Sequence, residues 1–178
     1  MTTALLIIDV QEAMFAYPDM NLYDAEGVLE RISALLSKAR SAGIPVIYIQ
    51  HTEEEGEFVK GTPTWEINSR IAPQAGETVI EKTTPDSFHL TGLQNELQRR
   101  GITDLIICGM QTDYCVNATS RAAHDLGYPS ILVKDAHSTF DEGGLSGEEI
   151  VKQHNQVLGS GIVTLRSEQE VTFNESGA

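Results

Sequence analysis

The chain has 178 residues, 40% hydrophobic and 21% charged, a balance that excludes wholesale disorder and suffices for one packed core. Twelve Lys and Arg against 26 Asp and Glu leave a formal net charge of -14, which argues against a nucleic-acid backbone or an anionic membrane as partner. No apolar run reaches bilayer-spanning length, and two cysteines make neither a disulfide framework nor a zinc pattern.

Ala4-Leu5-Leu6-Ile7-Ile8 predicts a first strand that ends at Asp9. No basic segment or cleavage site precedes it, so the expectation is a cytoplasmic protein in reducing conditions. No Gly follows through Met14, which argues against a dinucleotide site, because pyrophosphate needs close backbone approach. Asp24 is placed to cap a helix whose apolar positions Val28, Ile32, Leu35, Leu36 and Ala39 recur at helical spacing until Gly43. Pro45 to Ile49 reads as the second strand. A polar stretch follows from His51 to Gly76; stretches of that length are usually functional or disordered. Within it Glu53, Glu54, Glu55 and Glu57 are expected to form a solvated face.

Thr78-Val79-Ile80 predicts a third strand, and Leu93 and Leu97 mark a helix that stops at Gly101. Asp104 to Cys108 is the fourth strand, with Cys108 a core thiol. A helix carrying Cys115 runs to Leu126, stopped by Gly127, and Ser130 to Val133 is the fifth strand. A helix from Glu148 to Leu158 and a strand from Ile162 to Leu165 complete one domain spanning residues 1–178, whose polar tail 167–178 is expected to fray. Alternating strands and helices, with strands apolar on both faces, predict an α/β fold: a doubly wound, Rossmann-like, three-layer αβα domain on a parallel sheet.

In such sheets ligands bind beyond the carboxyl ends of the strands. Asp9, His51, Lys82, Cys115 and Asp135 follow the first five strands in turn, so one rim collects acids, a cation and a thiol. Cys115 falls in the first turn of its helix, where free N–H groups and the helix dipole stabilise a thiolate or an oxyanion. Asp9, on the floor of an apolar sheet, is suited to take the thiol proton. Lys82 would hold the two anions together and lower the thiol pKa. The logic is that of a nucleophile–base–orienter triad with Asp in place of His.

Asp9 in Leu-Ile-Ile-Asp-Val-Gln, Lys82 in Glu-Lys-x-x-x-x-Ser-Phe and Cys115 in Thr-Asp-x-Cys-Val closely resemble the isochorismatase-like cysteine hydrolase superfamily. Gly61-Thr62-Pro63-x-Trp65, Asp135-Ala136-x-Ser138-Thr139 and His154-Asn155 extend the resemblance over nearly the whole chain. It implies a six-stranded parallel sheet, an Asp9-Lys82-Cys115 triad, a cis peptide at Met110–Gln111 and an oxyanion hole from the Gln111 and Cys115 N–H groups. It also implies a homodimer or homotetramer. Trp65, Phe88, Phe15 (or its neighbour Met14) and His51 are the expected substrate contacts, although Trp65 also suits an interface.

Nicotinamidase relatives carry an Asp-x-His pair and a further histidine that hold a metal. This chain reads Gln50-His51-Thr52-Glu53 and has no second histidine before Lys82, so neither metal nor cofactor is expected. His89, His124, His137 and His154 read as structural or surface residues, and Asn117-Ala118-Thr119 as a chance glycosylation pattern. The expected activity is hydrolysis of a small amide, lactam or ureido compound through Cys115. Two alternatives stay open: Asp9-driven hydrolysis of an isochorismate-like vinyl ether, and a non-enzymatic binding or assembly protein with a vestigial site.

Overall fold

The computed structural model describes residues 1–173. Strands β1 (Thr3–Ile8), β2 (Val46–His51), β3 (Thr78–Lys82), β4 (Asp104–Met110), β5 (Ser130–Ser138) and β6 (Thr164–Arg166) form one six-stranded sheet in the order β3-β2-β1-β4-β5-β6. Every pairing is parallel. Helices α1 (Ala25–Ser41), α2 (Leu93–Arg99), α3 (Asn117–Asp125) and α4 (Gly147–Leu158) cover the two faces.

Successive side chains of a strand point to opposite faces, so each central strand feeds two cores. Leu5, Ile7, Val46, Tyr48, Ile106 and Cys108 pack on one side with Val28, Ile32, Leu35, Leu36 and Ala39 of α1. Ala4, Leu6, Ile8, Ile47, Ile49, Leu105 and Ile107 pack on the other with Leu93 and Leu97 of α2, Ala123 of α3 and Leu158 of α4. Each buried Leu or Ile contributes about 1.5–3 kcal/mol, so the centre of the sheet is the firm base on which the loops stand. Burial also pushes the Cys108 thiol far up, which leaves it inert.

The strand order reverses between β1 and β4, and the segments leaving these two strands diverge to open a crevice. Gly109 makes the junction possible. It pairs with Ile8 at φ 122°, and a Cβ there would lie 2.1 Å from the Ile8 carbonyl oxygen. Only glycine lets β4 approach β1 this closely, immediately before both chains turn into the crevice.

Several boundaries differ from the sequence-based expectation. Asp24 precedes α1 in a left-handed conformation and makes no side-chain cap; its carboxylate instead pairs with Arg31. β5 continues to Ser138, with a register shift against β4 between Ile107 and Gly109. Asp135 therefore lies inside the strand and leaves the rim: its Oδ1 accepts the Glu168 N–H at 2.8 Å. The stretch from His51 to Gly76 is folded back by the Gln11–Ile67 and Glu53–Val59 pairings and by a 3-10 turn at Ser69–Ile71.

The tail expected to fray from Ser167 is docked as far as Phe173. Ser167 and Glu170 form a capping box, Lys38 pairs with Glu168 at 2.5 Å, and Val171 is buried. Residues 174–178 of that expectation lie outside the described residues. Among the described residues no helix is long and apolar enough to cross a membrane.

Candidate active site

Asp9 leaves β1 in the left-handed region (φ 50°), uncommon without glycine, and its N–H is held by the Ile49 carbonyl at 3.0 Å. The carboxylate is thereby kept at the crevice floor, 1% exposed. Lys82, the last residue of β3, reaches the same point with its side chain fully buried. Its Nζ stands 2.8 Å from Asp9 Oδ2 and 3.2 Å from Cys115 Sγ. The ion pair is close but off-axis, so neither Asp9 oxygen has an aligned hydrogen-bond donor although both are buried. Such a carboxylate retains lone pairs that can receive a proton.

Cys115 sits in a π-helical turn, Thr112–Val116, that leads directly into α3. The N–H groups on either side of it, from Tyr114 and Val116, both donate to the Gln111 carbonyl, at 3.2 and 3.0 Å. The Met110–Gln111 peptide is cis. Burial and the adjacent Asp9 carboxylate push the Cys115 thiol up to about 12, with Lys82 pulling the other way. The expected lowering of this pKa by Lys82 is present in direction. Desolvation and Asp9 outweigh it, because the ammonium is shared with the carboxylate. The resting cysteine is a neutral thiol.

His51 completes the cluster from the end of β2. Lys82 carries only donors, so His51 Nδ1, 3.0 Å from Nζ, accepts; Nε2 then bears the proton and donates to Glu53 Oε1 at 2.9 Å. Both ring nitrogens are thus engaged. Among the described residues no three His, Cys, Asp or Glu side chains converge as a metal-binding group. Gln11, fully buried, fixes this edge: its Nε2 donates to the His51 and Trp65 carbonyls at 2.9 and 2.8 Å, and its Oε1 accepts the His51 N–H at 2.9 Å.

The π-turn is anchored from behind. Asn155 Nδ2 donates to the Lys134 carbonyl, which leaves Asn155 Oδ1 to accept from His137 Nε2 at 2.7 Å. His137 Nδ1 therefore accepts the Thr112 hydroxyl at 2.8 Å. Full burial holds His137 down to about 4, neutral at physiological pH, as that tautomer requires. Thr139 donates to Asp113 at 2.6 Å, so the Asp-Ala-x-Ser-Thr and His-Asn segments serve the Thr-Asp-x-Cys turn.

Asp9, His51 and Cys115 open into a cavity of about 360 Å³ whose walls are Met14, Glu53, Phe58, Thr83, Pro85, Gln111 and Tyr114. A larger cavity, about 460 Å³, lies at the amino ends of the strands beside Thr3, Pro45 and Asp104, and no cysteine, lysine or histidine among the described residues lines it. The smaller one collects the candidate catalytic residues Asp9, His51 and Cys115.

A sequence profile of the isochorismatase domain matches residues 3–152. The chain belongs to the isochorismatase family. Streptothricin hydrolase of Streptomyces noursei is 39% identical over 139 residues, 78% of this chain and 50% of that protein, so the chain spans half the length of that relative. Ureidoacrylate amidohydrolase RutB of Variovorax paradoxus is 29% identical over 80% of this chain and 70% of its own length. A crystal structure of a Pseudomonas putida isochorismatase superposes with TM-score 0.88 at 30% identity, covering 95% of this chain and 89% of that one. The six-stranded parallel α/β fold of this isochorismatase-family hydrolase is the fold of that structure.

The isochorismatase fold brings Asp9, Lys82, Cys115 and His51 together, but not the other expected contacts. Trp65 lies behind the site, its indole N–H donating to Thr52 at 3.0 Å and its carbonyl accepting from Gln11 and Gln50. Phe88 packs against the same core as Cys115, stacked on Tyr128 with centroids 6.0 Å apart, and does not line the cavity. Phe15 packs against the α1 core, and its neighbour Met14 faces the cavity instead. Glu53 is a wall residue paired with His51, not part of a purely solvated face. Its signal was the period of two, which puts residues 51 and 53 of an extended segment on one side. Phe58, edge-on to His51 at 5.4 Å, sits in a loop without periodicity and gave no signal.

Proposed function

We propose that this isochorismatase-family hydrolase cleaves a C–N bond of a small amide, lactam or ureido compound through Cys115. The observation that carries the proposal is one buried ammonium, Lys82, lying 2.8 Å from Asp9 and 3.2 Å from Cys115, two residues that line a cavity. A thiol with a pKa of about 12 attacks only if its proton leaves as the S–C bond forms. Asp9, whose oxygens have no aligned donor, takes that proton.

Attack converts the substrate carbonyl into a tetrahedral oxyanion, for which the Gln111 and Cys115 N–H groups are the proposed donors. Asp9 returns the proton to the leaving nitrogen as the C–N bond breaks, leaving an acyl thioester on Cys115. Asp9 then deprotonates a water, whose hydroxide adds to the thioester. Collapse expels the thiolate, which recovers its proton from Asp9, and the carboxylic acid departs. Lys82 stays protonated throughout and balances whichever anion is present. The RutB relative, a ureidoacrylate amidohydrolase, supports the bond type.

Turnover of an amide panel in the presence of hydroxylamine tests the proposal. Capture of a hydroxamate, lost along with hydrolysis in Cys115→Ala and Cys115→Ser, is the expected result. Hydrolysis of isochorismate that survives Cys115→Ala would instead establish the vinyl-ether route.

A further inference from the structure

We infer that the cavity selects substrates carrying a cationic group, an amine or guanidine, and discriminates against carboxylates. The inference names the substrate class for the Cys115 site and so rests on that proposal.

Among the described residues the wall holds carboxylates and no cationic side chain. Glu53 contributes a carboxylate to the cavity, and Asp9 a second one that is paired with Lys82 at 2.8 Å. Among the described residues no arginine or lysine lines the space; the nearest cation, Lys82, lies beneath Asp9 and Cys115. The charge of Lys82 is already committed: its side chain is fully buried and its ammonium contacts Asp9, His51 and Cys115.

Two side-chain donors of the wall are engaged as well, which leaves neutral donors such as the Thr83 hydroxyl and the Gln111 and Cys115 N–H groups. His51 Nε2–H donates to Glu53, and the Tyr114 hydroxyl donates to Glu142 at 2.7 Å. Gln111 Nε2 is directed at Met14 Sδ, 3.9 Å away. A substrate carboxylate would meet like charge with no cation to offset it. An ammonium would gain the Glu53 carboxylate, which is 46% exposed and held in place by His51.

The test compares binding with turnover. Isothermal titration of the Cys115→Ala protein uses matched primary amides with an ω-ammonium, ω-carboxylate or ω-methyl end, in chains of three to six carbons. Binding of at least one ammonium amide about ten-fold or more tighter than its carboxylate partner is expected, the size of a charge-assisted hydrogen bond. In a protein carrying both Cys115→Ala and Glu53→Gln that preference should collapse while the methyl series is unchanged. The substituted amide still accepts from His51, so the variant tests charge rather than the wall's integrity. Equal or reversed preference, or no binding of any ammonium amide, overturns the inference. Turnover in the intact enzyme reports separately on Cys115: hydrolysis without charge preference sinks the selectivity alone, and charge-selective binding without hydrolysis sinks the C–N reaction alone.

Discussion

Replacing Asp9 by Asn should make Cys115 more reactive toward a thiol reagent while making the enzyme less active. The intact thiol is raised from 9.0 to about 12, first by burial and then by Asp9. Three pK units deplete the thiolate about a thousand-fold at neutral pH. The greater intrinsic nucleophilicity of a high-pKa thiolate returns about 15- to 30-fold, for a Brønsted slope of about 0.4–0.5. Labelling by methyl methanethiosulfonate at neutral pH should then run about 30- to 60-fold slower than for an equally accessible thiol of ordinary pKa.

Accessibility alone also slows labelling, so the decisive quantity is the shape of the pH profile. In the wild type the logarithm of the rate should climb with unit slope past pH 10. In Asp9→Asn the Lys82 ammonium no longer offsets a carboxylate, the profile moves to lower pH, and the neutral-pH rate rises. Lys82→Met should move it the opposite way. A wild-type plateau at or below pH 9, or a profile that Asp9→Asn leaves in place, would refute a neutral thiol governed by Asp9.

Gln11→Ala removes three hydrogen bonds, one buried and two part-buried, to the His51 and Trp65 backbones, and urea denaturation should show a loss of about 2–4 kcal/mol; a loss under about 0.5 kcal/mol would contradict that role. His137 titrates near 4 in the folded state against 6.5 unfolded, so the unfolded chain binds the extra proton between those values and stability falls as pH falls. Its share should be about 2 kcal/mol between pH 7 and 5, read as the difference in urea-denaturation stability between wild type and His137→Gln, and absence of that difference would place the imidazole outside the core. Phe58→Ala should raise KM about ten-fold by opening the cavity wall, whereas Phe88→Leu should cost about 1 kcal/mol of stability and leave KM alone. The reverse pattern in KM would return Phe88 to the site.

The α/β architecture and the carboxyl-end rim were legible because both rest on local pattern. β1 and β4 announce themselves as unbroken apolar runs, and the residues after them must then lie at the crevice whatever the rest of the chain does. Asp135 escaped that logic because β5 continues to Ser138 across a register shift that no periodicity encodes. Trp65 and Phe88 were misplaced for a related reason. Large aromatics look alike in sequence whether they face a cavity or stack on Tyr128 behind it.

Residue order by itself determined the strand and helix content, the chemistry available at each strand end, and the family. Only the tertiary structure decided how that chemistry is poised. A single buried ammonium shared among Asp9, His51 and Cys115 cannot hold the thiol ionised against desolvation, so the thiol rests neutral. Charge sharing depends on distances of about 3 Å between side chains from three strand ends and a helix turn, and such distances are a property of packing, not of sequence.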